Sequence, residues 1–327
     1  MPFLLIVIIA IALIFDFLNG FHDASNIVAT MISSRAMSPR NALLMTAIAE
    51  FAGPFLFGVA VATTIGSEIM DPAAVTSAVI IAALIGAIFW NLFTWYFGWP
   101  SSTSHALIGG LVGAVVVSSG LETIRVDGLL KILIALFLSP VLGFVLGYLL
   151  LKLIYFLARG ATPRVNSVFK RAQWGTSLAL ALSHGTNDAQ KTMGVIALAM
   201  VTTGYAEQFY VPWWVIALSA SAIALGTASG GWRLIETLGG KFYKIRPVHA
   251  FGSQLTSATV ILGAALLGGP VSTTQVVSSS IMGAGSADRV SKVRWTVARD
   301  IAVAWLLTIP VSALVAAGCY LLVSMVL

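Results

Sequence analysis

Ser183-His184-Gly185-Thr186-Asn187-Asp188-Ala189-Gln190-Lys191 lies inside a long apolar segment that continues as Thr192-Met193-Gly194-Val195-Ile196-Ala197-Leu198-Ala199. Charged and amide groups at that depth in oil are costly unless paired or wetted, so such a run is retained for a job. The chain contains it twice. Near the N-terminus, Asn19-Gly20-Phe21-His22-Asp23-Ala24-Ser25-Asn26 sits in an equally apolar setting and again reads Gly, two residues, Asp, Ala. One polar interruption repeated in each half points to a binding site at the interface of internal repeats.

The 327 residues are 58% hydrophobic and only 9% charged, with a mean hydropathy of +0.96. A soluble domain carries roughly 25% charged residues, so this is a polytopic membrane protein. Thirty glycines suit close helix packing in lipid. The segment from Met1 to Phe15 lacks a basic flank and a small-residue cleavage site, and is read as the first span. Cys319, alone, allows no intramolecular disulfide. The net charge of +6 is read as basic residues in cytoplasmic loops, not as a nucleic-acid surface.

Apolar stretches at 3–19, 41–65, 73–97, 132–157, 213–229, 249–268 and 301–326 are each read as spans, at about 20 residues per crossing. The second of these is expected to break at Gly53-Pro54 and carries Glu50; an acidic loop from Glu68 to Pro72 follows. Pro100-Ser101-Ser102-Thr103-Ser104-His105 and Pro270-Val271-Ser272-Thr273-Thr274-Gln275 are a second repeated pair, each a helix breaker followed by residues that cap a new helix. Trp90, Trp95 and Trp99 read as markers of a membrane interface.

Corresponding loops of the two halves carry opposite charge. Arg35 and Arg40 follow the first polar run, whereas Glu207 and no basic residue follow the second; Glu68 and Asp71 correspond to the basic loop Arg233 to Arg246. By the positive-inside rule these loops lie on opposite sides, as inverted repeats require. The expected organisation is a first transmembrane repeat over 1–158, a basic cytoplasmic linker over 159–172, and a second, inverted repeat over 173–327. Both termini are then extracytoplasmic, in the plasma membrane.

If the helices continue through the polar runs, Asn19, Asp23 and Asn26 share one face with Asp16 a turn further out, and His184, Asp188 and Lys191 repeat the pattern beside Asn187 and Gln190. Converging carboxylate, amide and hydroxyl oxygens suit Na⁺, or a carboxylate that takes up a proton. Glu50 reads as a functional intramembrane acid. The Pro100 and Pro270 motifs have the opposite polarity: orphan N–H groups and hydroxyls at two helix starts form a cage for a tetrahedral oxyanion. Lys191 either neutralises the substrate or an Asp, or snorkels to the surface. His22 and His184 are proton carriers or satisfied hydrogen-bonding residues; His105, after a cap, reads as the latter.

On Gly20-Phe21-His22-Asp23-Ala24-Ser25-Asn26 with Gly185-Thr186-Asn187-Asp188, and on the paired Pro100 and Pro270 motifs, the chain resembles the inorganic phosphate transporter family (Pit-type permeases and type III sodium–phosphate cotransporters) over nearly its whole length. The resemblance implies an inverted-repeat secondary transporter that moves phosphate with Na⁺ or H⁺. It places Asp23, Asn26, Asn187 and Asp188 at the ion and phosphate site, and Ser101, Ser102, Thr103, Ser104, Ser272, Thr273 and Thr274 in the phosphate cradle. His22, where many relatives have Asn, resembles the bacterial low-affinity branch, whose members are thought to move a neutral metal–phosphate complex with protons. Gln254 stands where some relatives have Glu, and their long central loop is absent here. Some related bacterial members carry sulfate.

The expectation is therefore an all-α membrane protein of about ten crossings with re-entrant or broken half-helices, acting as a phosphate symporter. Asp23, Asn26 and Asp188 would hold Na⁺, with Asn187 and Glu50 assisting; Gln190 and Lys191 would join the cradle. Its partners would be inorganic phosphate or sulfate and the lipid bilayer, with a homodimer allowed; no further cofactor is expected. A sulfate permease, a passive channel and an intramembrane hydrolase are the alternatives, the last without a Gly-x-Ser-x-Gly nucleophile setting.

Overall fold

The computed structural model describes residues 2–70 and 75–327; Asp71 and Pro72 of the expected acidic loop lie outside them. The chain is helical, and among the described residues the nearest approach to a sheet is one isolated bridge between Met70 and Ile124. In order come α1 (Phe3–Ser33), α2 (Pro39–Phe57), the short α3 (Ala60–Thr63) running into a wide turn at Thr64–Glu68, α4 (Ser77–Phe97), α5 (Thr103–Ser119) and α6 (Val126–Leu157). The second half repeats this: α7 (Val165–Thr202), α8 (Trp213–Ser229), α9 (Trp232–Glu236) with a wide turn at Thr237–Lys241, α10 (Pro247–Leu266), α11 (Thr273–Asp288) and α12 (Trp295–Val323).

Four helices, α1, α4, α6 and α12, are long and apolar enough to cross a bilayer, and two more spans are bent pairs, α2 with α3 at 76° and α8 with α9 at 65°. α7 has the length, 38 residues, but its polar run lowers its hydropathy. α5 and α11, at 17 and 16 residues, fall short of a full crossing.

Both long helices run unbroken through their polar stretches. The expected break at Gly53-Pro54 is also absent: α2 continues past it and stops at Gly58, whose φ of 81° only glycine adopts cheaply. Gly230, with φ of 69°, does the same between α8 and α9. Pro54 offers no N–H to the carbonyl four residues back. That carbonyl, on Glu50, is the group against which Gly185 of α7 packs, with no room for a Cβ. The stretch read as linker is largely helical, since α7 already begins at Val165.

The two halves interlock. α1 packs chiefly on α8 and α7 on α2, while α5 packs on α12 and α11 on α6. Glycine enables each close approach: Gly20 meets the Ile223 backbone and Gly226 the Phe17 carbonyl, mirroring Gly185 on Glu50 and Gly53 on the Leu182 carbonyl. Buried apolar residues form one cluster around α1, α4 and α5 and another around α10 and α11. The polar residues of α1 and α7 lie between the two.

Candidate functional site

The breaks before α5 and α11 bring two helix starts together against the middle of α1 and α7. Ser102 caps α5 by accepting from the His105 N–H at 3.1 Å, and Ser272 caps α11 by accepting from the Gln275 N–H at 3.3 Å. Those hydroxyls belong to the backbone turn. His105 also meets Ser102 through Nδ1 at 2.6 Å, as a residue following a cap is expected to do.

The next residues of each helix reach the carboxylates. Thr103 and Thr273 both donate to Asp23 Oδ2, at 3.4 and 3.2 Å, and Thr274 donates to Asp23 Oδ1 at 2.9 Å. Thr273 lies equally within reach of Asp188 Oδ2 at 2.8 Å. One hydroxyl proton thus stands between two carboxylates. Asn26 donates to the Thr274 hydroxyl at 3.0 Å. All these side chains are buried.

Histidine and lysine supply the positive side. His184 lies between Glu50 and Asp188, with Nδ1 2.8 Å from Glu50 Oε1 and Nε2 2.9 Å from Asp188 Oδ2; Asp23 Oδ2 is 3.8 Å from the same Nε2. His22 Nδ1 is 3.1 Å from Asp23 Oδ1. Lys191, 1% exposed, bonds the Asp188 carboxylate, the Ser104 hydroxyl and, at 3.0 Å, the Val271 carbonyl. It does not snorkel; its ammonium ties α7 to both helix breaks. Asp23, His184 and Asp188 are close enough to share a metal ion.

Several residues expected at the site act as struts. Asn187 spans the second break, donating to the Gly269 carbonyl at 3.1 Å and accepting from the Val271 N–H at 3.3 Å. Gln190 holds the α2–α3 bend, bonding the Gly58 carbonyl at 2.6 Å and the Val61 and Ala62 N–H groups at 2.8 and 3.2 Å. Ser101 pairs with Thr94 at 2.8 Å. Trp90 is buried and bonded to Thr308 at 3.0 Å, so it is not an interface marker. Gln254 bridges Thr30 and Thr176 at 2.8 and 2.7 Å. The role of His184 in joining three carboxylates was not legible in the sequence, because Glu50 comes to it from α2.

Bilayer-length helices, two bent spans and a buried ionic pocket between two helix starts define a multi-pass membrane transporter. The sequence pattern of the Phosphate transporter family matches residues 19–316. A protein of Rhizobium meliloti (strain 1021) described as "Probable low-affinity inorganic phosphate transporter" is 47% identical over 97% of this chain and 96% of its own. One of Bacillus subtilis (strain 168) with the same description is 43% identical over 99% and 98%. A solved structure described as "The sodium-dependent phosphate transporter" superposes with a TM-score of 0.90 at 26% identity, covering the whole of both chains. The chain belongs to the Phosphate transporter family, a family of transporters and not of enzymes.

Proposed function

We propose that the chain is a secondary active symporter that carries inorganic phosphate with Na⁺. The observation that carries this reading is the Thr273 hydroxyl between Asp23 and Asp188. A hydroxyl has one proton to donate. While Thr103, Thr273 and Thr274 donate to carboxylates, they are not free to donate to an oxyanion. A Na⁺ ion bound by Asp23, Asp188 and Asn26 replaces those protons as the neutralising charge, and the hydroxyls turn to phosphate. Each ligand thereby favours the other, which is coupling in the thermodynamic sense.

The oxyanion is held at the starts of α5 and α11, where orphan N–H groups and the positive dipole ends converge. Lys191 adds a fixed positive charge. Phosphate is favoured over sulfate because its protonated oxygens can donate to the nearby carboxylates, whereas sulfate only accepts. The superposed structure is that of a sodium-dependent transporter, which supports Na⁺ as the coupling ion. Proton coupling is the second reading, favoured by His184 between Glu50 and Asp188.

We read 1–158 and 173–327 as inverted repeats, a reading supported by the recurrence of six elements in order and by the reciprocal packing of α1 on α8 and α7 on α2. The basic segment Arg159 to Arg171 then faces the cytoplasm and both termini lie outside the plasma membrane. Alternating access follows from one bundle rocking against the other.

The test is uptake of radiolabelled phosphate into proteoliposomes under an imposed Na⁺ gradient or pH gradient, with sulfate as competitor. Uphill accumulation under the Na⁺ gradient, resistant to sulfate and lost in Asp23→Asn and Asp188→Asn, is expected. Near-normal uptake by both variants would sink the site assignment, and accumulation driven only by the pH gradient would replace Na⁺ with H⁺.

A further inference from the structure

Seven residues before Asp23 on α1, Asp16 is fully buried, and neither of its carboxylate oxygens has a hydrogen-bond partner among the described residues. Asn19 is buried beside it with both amide atoms equally unpartnered, as is the hydroxyl of Thr192 on α7. The Thr192 hydroxyl and the Asn19 amide face the Asp16 carboxyl, and the charges of Asp188 and Lys191 act on it. Asn91 of α4, a helix packed on α1, is also buried with an unpartnered amide.

Buried polar groups in folded proteins are almost always bonded, and a carboxylate in oil without a partner is among the costliest exceptions. Four unpartnered oxygens from Asp16, Asn19 and Thr192 around one point therefore describe a ligand shell. The shell is not a by-product of the repeat. Asp23 and Asp188 are 165 residues apart, and at that offset Asp16 corresponds to Ala181 and Thr192 to Ile27. The first half alone has acquired it.

The donors select the ligand class. Carboxylate, amide and hydroxyl oxygens are hard donors with no sulfur or imidazole among them, which suits an alkali or alkaline-earth cation. A single carboxylate favours a monovalent ion. We propose that Asp16, Asn19 and Thr192 bind a sodium ion, at a second cation site separate from the Asp23 and Asp188 pocket. The inference rests on the Na⁺-symport reading. It extends that reading physically: one monovalent cation does not neutralise a divalent phosphate, and a second beside the first lowers the cost of carrying the loaded site through oil.

The experiment is equilibrium binding of ²²Na⁺ to the purified full-length chain in detergent without phosphate, by scintillation proximity. Wild type is expected to bind two sodium ions, and Asp16→Asn and Asp23→Asn one fewer each. Thr192→Val is expected to need roughly tenfold more sodium to fill the second site, the scale of one weakened ligand contact. Equal sodium counts in wild type and Asp16→Asn, as when Asp16 simply carries a proton, would overturn the second site and leave the symport reading intact. No sodium bound by wild type would overturn both. If Asp16→Asn does not elute as a folded protein, Thr192→Val decides: a saturation curve identical to wild type overturns the proposal.

Discussion

Lys191→Met, alone and combined with Asp188→Asn, perturbs the pair on which the electrostatics of the site turn. The ammonium has three protons and no acceptor, and it directs them to the Asp188 carboxylate, the Ser104 hydroxyl and the Val271 carbonyl. Methionine keeps the bulk of the side chain and removes the charge, leaving Asp188 fully buried with only His184 and Thr273 beside it. Breaking one side of a buried ion pair costs about 3–5 kcal/mol, whereas removing both partners is far milder. Native stability is only about 5–15 kcal/mol, so the single variant should lose a large part of it. The assay is the apparent unfolding midpoint of purified protein in detergent, read in sodium chloride and in choline chloride. Lys191→Met should melt well below wild type, and the double variant should recover at least half the difference. Sodium should rescue the single variant more than wild type, because a cation on the bare carboxylate stabilises by about 2.7 kcal/mol at a hundredfold excess over Kd. A single variant that melts like wild type, or a double variant that melts below the single, would refute the pairing.

Two further expectations separate packing from binding. Gly185→Val should cost about 1–3 kcal/mol or more by overpacking, because a Cβ there runs into the Glu50 backbone, whereas Gly175→Val, with nothing nearby, should not; monodisperse yield and melting report it, and equal behaviour of the two would remove the close contact from the account. Asn187→Leu removes both bonds across the second break, so half-saturation for phosphate uptake should rise roughly tenfold while ²²Na⁺ binding persists. Lost sodium binding with unchanged phosphate response would instead make Asn187 an ion ligand.

The fold was legible where a physical cost marks the sequence. Polar runs in oil announced α1 and α7 as the bearers of the site, and Pro100 and Pro270 with their hydroxyl followers announced two helix starts, because caps have a recognisable chemistry. What is set by packing between distant elements was not legible. Gly53-Pro54 looks like a breaker in isolation, yet α2 passes through it because Gly185 of α7 fills the gap beside the Glu50 carbonyl. Gln190 and Asn187 have the chemistry of ligands, and only the positions of Gly58 and Gly269, 132 and 82 residues away, turn them into struts. The snorkelling alternative for Lys191 was open for the same reason: its fate depends on Val271 and Ser104, which no local pattern places near it.

The two halves of the pocket have diverged in charge, and the divergence bears on coupling. At the 165-residue offset Asn26 corresponds to Lys191, Asn19 to His184 and Asp16 to Ala181. The first half thus offers carboxylate, amide and hydroxyl oxygens, and the second adds an ammonium and an imidazole around an otherwise equivalent carboxylate. A site with two identical halves would present the same charge to both ligands. One with an acidic half and a partly neutralised half can hold a cation on the first and an anion on the second within a few ångströms, joined by the Thr273 hydroxyl between Asp23 and Asp188. On that reading an empty half leaves its charge uncompensated in oil, and this cost opposes a crossing with only one of the two ligands aboard.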